Sequence, residues 1–384
     1  MTDPELSAVS RQTPPAGAAL MAASASAHGI ARVALLLRED ESVCAHEVAA
    51  ARAAVAHIAA RLGLRCEVVA GPVPDAAQCW WVPLTTLLAR EWSALGGGGD
   101  ARIWGGVVPC PHVATKLVSH PLWRPDAAAP PGWRRLQDIE DCTLPGWSVF
   151  SRDDALAAGQ ALLAQGALRV KCPYARGGNG QATIESTAAL SRWLDAADTS
   201  LFEQGLVIER ELVDAVTYSV GSSRLPGQAI AYHGEQRAVA GRDGNLVYGG
   251  SRLSVMSGGL AELRAAMAPG EVCDAVAAAG RYDRIVCEGY GVLATRRNYD
   301  VIAGFDGAGR RRLGVLEQSW RIGGASMAEV LAAERLALHP GPGWVVAETV
   351  ESYDDLPPPA DAIVYWAGGD GTPCKYARIV RDGR

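Results

Sequence analysis

A chain of 384 residues with 49% hydrophobic side chains is long enough for two or three packed domains. Its formal charge of −6 argues against nucleic acid as the main partner, since phosphate backbones demand clustered Lys and Arg, but leaves small anionic ligands open to a few local cations. Nine scattered cysteines with no Cys-x-x-Cys pair suggest neither a zinc site nor a disulfide framework and fit a reducing, cytoplasmic home; no apolar run approaches membrane-spanning length.

Residues 1–30 are rich in Ala, Ser and Pro and carry Asp3 and Glu5 where a signal peptide wants positive charge, so they read as a disordered leader, with Met21 as an alternative start. An apolar strand at 31–37, an Ala-rich helical segment from 46 to 62 and a strand at 65–69 form a β-α-β unit. An apolar patch at 80–84, a helical pattern at 87–95, the breaker at 96–99 and a strand at 103–108 complete a small α/β domain, 31–125. The Pro-bearing segment 126–146 reads as a linker. After it the pattern becomes α+β. A strand at 147–150, a helix at 153–165, a strand ending in Lys171, a strand reaching Ile184 and a helix at 187–194 come first. Strands at 206–213, 218–223 and 229–233 follow, then a helix near 272–279 and two strand candidates, 284–294 and 297–305. Asp306-Gly307 marks a turn into a strand at 312–318. Residues 326–384 read as a helix and a small β addition.

The segment from Arg169 to Ile184 carries the most chemistry. Lys171 ends a strand and is followed by Gly177-Gly178-Asn179-Gly180. Glycines let backbone N–H groups close over anionic oxygens, and a lysine fixed on a strand supplies a point charge to the same oxygens. Apolar residues on both sides make this a hairpin, not a strand feeding a helix. It matches neither the P-loop, because Gln181-Ala182 follows Gly180, nor the dinucleotide fingerprint. Taken alone, the segment reads equally as a surface hairpin. Further charged groups stand at strand ends: Lys116, Glu209, Glu211, Asp300, Glu317 and Arg321. Carboxylates and cations together suit a metal-bound polyphosphate, since Mg²⁺ takes one or two protein carboxylates and draws its other ligands from phosphate and water.

The order of these groups resembles the ATP-grasp superfamily, the fold shared by biotin carboxylase, glutathione synthetase and D-alanine–D-alanine ligase, over roughly residues 100–325. It looks closest to a bacterial branch in which membership alone names no substrate. The resemblance implies an ATP-grasp domain at 147–325, in two subdomains hinged near 209–213, behind the N-terminal α/β domain. It implies ATP and Mg²⁺, with Mn²⁺ as a substitute. Lys171 with Gly177, Gly178, Asn179 and Gly180 is similar to the family's lysine strand and glycine lid, and Lys116 to its earlier phosphate-binding lysine. Glu209, Glu211 and Leu212 resemble the hinge, where backbone groups pair with the adenine edge. Asp300 and Glu317 stand where the family keeps metal carboxylates, with Glu288 a competitor for the first.

Glu317-Gln318-Ser319-Trp320-Arg321 is similar to Glu-x-Asn-x-Arg. Ser319 replaces the expected asparagine at the second metal position, and Arg321 would face the transferred phosphoryl group. The implied activity is an ATP-dependent ligase that activates a small carboxylate as an acyl phosphate for attack by an amine or other nucleophile, with Lys171 and Arg321 in the catalytic roles. A catalytically reduced nucleotide sensor, or a small-molecule kinase, are the alternatives. The implied partner is a small carboxylate; nucleic acid and membrane are not expected, and a homodimer is compatible with the pattern.

Other segments leave two readings open. Tyr248-Gly249-Gly250-Ser251-Arg252 is either a carboxylate-binding element or a hairpin turn. Ile322-Gly323-Gly324-Ala325-Ser326 either closes on substrate or starts a helix with Ser326 as its N-cap. His233, with Glu235 and Arg237, could touch substrate, whereas Cys110-Pro111-His112 reads as a packed loop.

Overall fold

The computed structural model describes residues 22–26, 28–38, 45–99, 102–174, 180–241, 246–339, 341, 343–354, 356–369 and 372–383. Three parallel strands, β1 (Arg32–Leu36), β2 (Arg65–Val69) and β3 (Cys79–Pro83), lie in the order β2-β1-β3, with α1 (Ala45–Leu62) crossing between the first two. This is the expected β-α-β unit. The expected leader 1–30 is described only from residue 22 and without residue 27. Within it, Ala25 and Ile30 are buried in the core beside β1 and α1, so its last residues belong to the fold.

The next elements tie this unit to distant chain. β4 (Leu87–Leu88) and α2 (Ala89–Ala94) lead to β5 (Gly106–Val108). β5 is sandwiched between β4 and β13 (Leu293–Ala294), a strand from almost two hundred residues later. Segment 126–146 is anchored by the buried side chains of Ile139, Cys142 and Leu144.

A four-stranded antiparallel sheet follows. β6 (Gly146–Val149), β7 (Leu168–Lys171), β8 (Gln181–Ile184) and β9 (Leu206–Arg210) are ordered β6-β9-β7-β8, with α3 (Arg152–Leu163), α4 (Thr187–Ala196) and α5 (Thr199–Gln204) between them in sequence. Side chains alternate across each strand. Leu168 and Val170 of β7, and Leu206 and Ile208 of β9, pack in one core with Ala158 and Leu162 of α3 and Leu190 of α4. Lys171 and Glu209 therefore project from the opposite face. Both helices start on serine caps: the Ser151 hydroxyl accepts from Asp154 N–H, and Ser186 from Ala189 N–H.

The largest element is an eight-stranded antiparallel sheet. Its strands are β10 (Val213–Leu225), β11 (Gln228–Ala240), β12 (Leu246–Ser257), β14 (Arg296–Phe305), β15 (Arg311–Ser319), β16 (Trp344–Ser352), β17 (Ile363–Trp366) and β18 (Cys374–Gly383), ordered β15-β14-β10-β11-β12-β16-β18-β17. Strands β16 to β18 extend this same sheet beyond β12. The short β13 (Leu293–Ala294) runs into β14. Helices α6 (Leu260–Ala265) and α7 (Glu271–Tyr290) follow β12, and α8 (Ser326–Leu338) follows β15. The expected β14–β15 turn is present: the buried Asp306 carboxylate accepts from the backbone N–H of Ala308 and Arg310.

Two local expectations are corrected. Residues 284–294, read as a strand, are the second half of α7 followed by β13. Buried Val276, Ala279, Tyr282, Val286 and Tyr290 recur at helical spacing, and the helix stops only at Gly291, in the left-handed region at φ 68°. Residues 248–252, read in part as a hairpin turn, lie inside β12. Gly250 has φ 121°, and a Cβ there would sit 2.0 Å from the Thr349 carbonyl oxygen, so the glycine permits close strand approach. Gly250→Ala should therefore destabilise the protein by about 1–3 kcal/mol in chemical denaturation; an unchanged midpoint would contradict that packing.

Candidate functional site

The four-stranded sheet, the large sheet, α1 and residues 84–91 of the N-terminal segment line a cavity of about 1300 Å³. A single small-molecule site usually occupies about 300–1,000 Å³, so there is room for more than one ligand. Lys116, Lys171, Glu209, Glu211, Leu212, Asp300, Glu317, Ser319 and Arg321 all line it. Gly177, Gly178 and Asn179 lie outside the described residues. Gly180 is described: it has φ 61°, and its carbonyl oxygen accepts from Cys172 N–H at 2.8 Å, closing the base of the β7–β8 hairpin. Lys171 opposite Gln181 fixes the register, as a hairpin requires.

Lys171 is 4% exposed, and a buried ammonium needs a counter-charge. Its Nζ lies 2.5 Å from Glu209 Oε1, while His120 Nε2 meets Glu209 Oε2 at 3.0 Å. Burial pushes the Glu209 carboxyl up, but the Lys171 ammonium and the His120 hydrogen bond outweigh it and hold the group down, to about 2. Lys116 sits in the 3₁₀ turn Lys116–Ser119, begun by Thr115, whose hydroxyl accepts from Leu117 N–H. Its Nζ is 2.9 Å from Glu317 Oε2.

In the segment expected to form the hinge, Glu211 N–H donates to Ala167 O at 3.1 Å and Leu212 N–H donates to Glu211 Oε1 at 3.1 Å. The other carboxylate oxygen of Glu211 accepts from Thr183 Oγ1 at 2.8 Å and pairs with Arg169 at 2.7 Å. Leu144, Leu212, Ala215, Val216, Ile302 and Leu316 form an apolar stretch of the cavity wall beside this segment.

Asp300 and Glu317 stand directly opposite each other on β14 and β15, although seventeen positions separate them. Asp300 Oδ1 accepts from Gln236 Nε2 at 2.8 Å and Asn298 Nδ2 at 3.1 Å. Its carboxyl is raised to about 6, by burial first and the Glu317 charge second; the two hydrogen bonds and Lys171 only partly oppose this. A carboxylate pair in this condition is short of positive charge and fits a divalent cation. Among the described residues no group of three or more His, Cys, Asp or Glu is assembled for a metal, so the pair would depend on other oxygens.

Arg321 follows β15, its Nη1 donating to Ile322 O at 2.9 Å, and its carbonyl accepts from the buried Arg296. Glu288, the competitor of Asp300, is exposed on α7 and is not a lining residue. His233 packs edge-on to Trp344 at 5.8 Å, whereas Glu235 and Arg237 reach the cavity. Tyr248 and Ser251 line it and share a hydrogen bond of 2.7 Å; Arg252 does not. Ser326 is not the N-cap of α8: Ala325 holds that position, and the Ser326 hydroxyl accepts from Gly323 N–H at 2.8 Å, latching a turn on the cavity wall. His112 stacks on Trp133 at 5.4 Å in the packed loop expected there.

Sequence reasoning missed His120, Gln236, Asn298 and the buried pair Arg296–Glu329, joined at 2.6 Å. Asn298 had a signal, since two residues before Asp300 on a strand is the same face. Gln236 had none, being 64 residues from its partner.

A family profile described as "Protein of unknown function (DUF3182)" matches residues 34–378. The chain belongs to the DUF3182 family. No curated protein matches this DUF3182 sequence. Among solved structures it is similar to the biotin carboxylase–β-γ-ATP complex from Campylobacter jejuni, at 11% identity over 92% of this chain and 88% of that one, with a TM-score of 0.50. It is also similar to D-alanyl-alanine synthetase A from Vibrio cholerae, at 11% identity over 76% and 89%, with a TM-score of 0.48. At such identities the likeness is one of fold, and this DUF3182 protein has the ATP-grasp fold.

Because the Glu209 carboxyl is held below its ordinary 4.5, its pairing stabilises the fold fully above that pH, and the contribution is lost as pH falls from about 4.5 toward about 2. Glu209→Gln should cost roughly 3–5 kcal/mol at neutral pH, by unpairing buried Lys171, and should flatten the acid limb of the stability curve. Urea unfolding measured across this pH window checks both.

Proposed function

We propose that this DUF3182 protein is an ATP-dependent ligase. It would join a small carboxylate to an amine or other nucleophile, with residues 147–325 as the ATP-grasp unit, 209–213 as its hinge and 31–125 as the preceding α/β domain. One observation carries the reading: Lys116, Lys171, Asp300, Glu317 and Arg321, from separate strands and turns, converge on one cavity. The apolar stretch beside Leu212 suits a flat base. Lys116 and Lys171 would hold phosphate oxygens, and Arg321 would offset charge developing on the transferred phosphoryl group.

Asp300 and Glu317 would hold Mg²⁺, with Ser319 nearby. When bound, the ion would neutralise charge on the phosphates. A substrate carboxylate oxygen attacks the γ-phosphorus and ADP leaves; the nucleophile then attacks the acyl carbon and inorganic phosphate leaves. The lysines and Arg321 would position these groups. A reducing cytoplasm agrees with eight free cysteines among the described residues. No helix among those residues is long and apolar enough to cross a membrane.

The sensor reading is motivated by Ser319, a hydroxyl where the motif resemblance implies an amide. Incubation with Mg-ATP and pools of carboxylates and amines separates the readings. Substrate-dependent ADP and phosphate with a condensed product marks a ligase, ADP with a stable phosphorylated product a kinase, and binding without turnover a sensor. Lys116→Met should weaken ATP binding roughly 10- to 100-fold, the loss of one charge-assisted contact of about 1.5–3 kcal/mol. It is a cleaner probe than Lys171, whose removal unpairs buried Glu209. ATP affinity unchanged in both Lys116→Met and Glu317→Gln, measured by calorimetry, would refute the site.

A further inference from the structure

The strands that carry Asp300 and Glu317 hold a second pair in the same register, Asn298 opposite Ser319. Residues two apart on a strand share a face, so all four side chains line the cavity together. With no third acidic, histidine or cysteine ligand among the described residues, a hard cation between the two carboxylates must complete its shell with neutral oxygens. Two amides stand beside them, Gln236 and Asn298, both donating to Asp300 Oδ1, and Asn298 is the one on the same strand and face as Asp300.

In the ligand-free arrangement its Nδ2 donates to Asp300 Oδ1 at 3.1 Å. Its Oδ1 accepts from Ser219 Oγ at 2.7 Å and lies 3.0 Å from the Tyr232 hydroxyl. Both hydroxyls can accept as readily as donate, and Tyr232 has a second acceptor in Glu329 Oε1 at 3.1 Å. A half-turn of the amide therefore strands no polar group at Tyr232: Nδ2 donates to the hydroxyl oxygens, and Tyr232 directs its proton to Glu329. The amide oxygen then takes the place of Nδ2, about 3 Å from Asp300 Oδ1. Two oxygens so placed repel each other in an empty site. They are also spaced like neighbouring ligands of one octahedral cation, which bonds of about 2.0–2.1 Å at right angles put about 2.9 Å apart.

We propose that Asn298 supplies an amide oxygen to the divalent cation held by Asp300 and Glu317, by a half-turn of its side-chain amide. The proposal rests on the nucleotide-and-cation reading above. It moves the amide that Ser319 lacks to the opposite strand.

The test is Mn²⁺ titration of the full chain in the presence of ATP, followed by electron paramagnetic resonance, with metal-free ATP binding confirming that each variant is folded. Asn298→Ala should weaken Mn²⁺ binding roughly 10- to 100-fold. Asn298→Asp, which keeps an oxygen but has no N–H to donate to Asp300, should retain or tighten it. Unchanged affinity in Asn298→Ala overturns the assignment of Asn298 alone. So does an equal loss in both variants, which would make the residue a donor that merely orients Asp300. Failure of the unaltered chain to bind Mn²⁺ with ATP overturns the reading of the site and this proposal with it.

Discussion

Each buried lysine of the cavity carries its own counter-charge. Lys171 is matched by Glu209 and Lys116 by Glu317, so neither buried ammonium lacks a counter-charge before a ligand arrives. The requirement is physical, because an unpaired ion removed from water is penalised by several kcal/mol. The two pairs differ in kind. Glu209 is buried and doubly held, by Lys171 and His120, and behaves as part of the frame. Glu317 is more than a third exposed and faces Asp300, so its pair with Lys116 is the one that can be exchanged. A polyphosphate taking Lys116 and a cation taking Glu317 would replace one internal pair with two external ones at little net change in buried charge.

Strand alternation explains why the charged side of each sheet faces inward. In the small sheet, helices α3 and α4 cover one face with Leu, Val and Ala, leaving Lys171 and Glu209 to the other. In the large sheet, α7 packs against β14, β15 and β10, and its core includes Tyr299 and Val301, the neighbours of Asp300 on either side. Tyr299 therefore points to the helix while Asn298 and Asp300 point to the cavity. Helix placement and site chemistry follow from the same two-residue period.

How much of this was legible in the sequence depended on range. The β-α-β start, the Lys171 hairpin, the Asp306 turn and the α+β middle were readable because their signals are local. Residues 284–294 misled because Val286 and its apolar neighbours fit a strand over a short window and show helical spacing only when joined to Val276 and Ala279. Segment 248–252 misled because paired glycines usually mark turns, whereas Gly250 serves close contact with β16, a strand formed a hundred residues later. Within the site, Lys171, Asp300, Glu317 and Arg321 announced themselves by type and order. His120 and Gln236 did not, since each matters through a partner brought close only by folding.

The short β13 has a mechanical implication. It pairs with β5 of the N-terminal segment, Thr295 Oγ1 then donates to Ile103 O at 2.6 Å, and the chain continues directly into Arg296, Asn298 and Asp300. Residues 293–300 thus link strand β5 of the N-terminal segment directly to the carboxylate pair. The position of Asp300 is therefore set from two sheets at once, the large one through its pairing with β10 and β15 and the N-terminal one through β13.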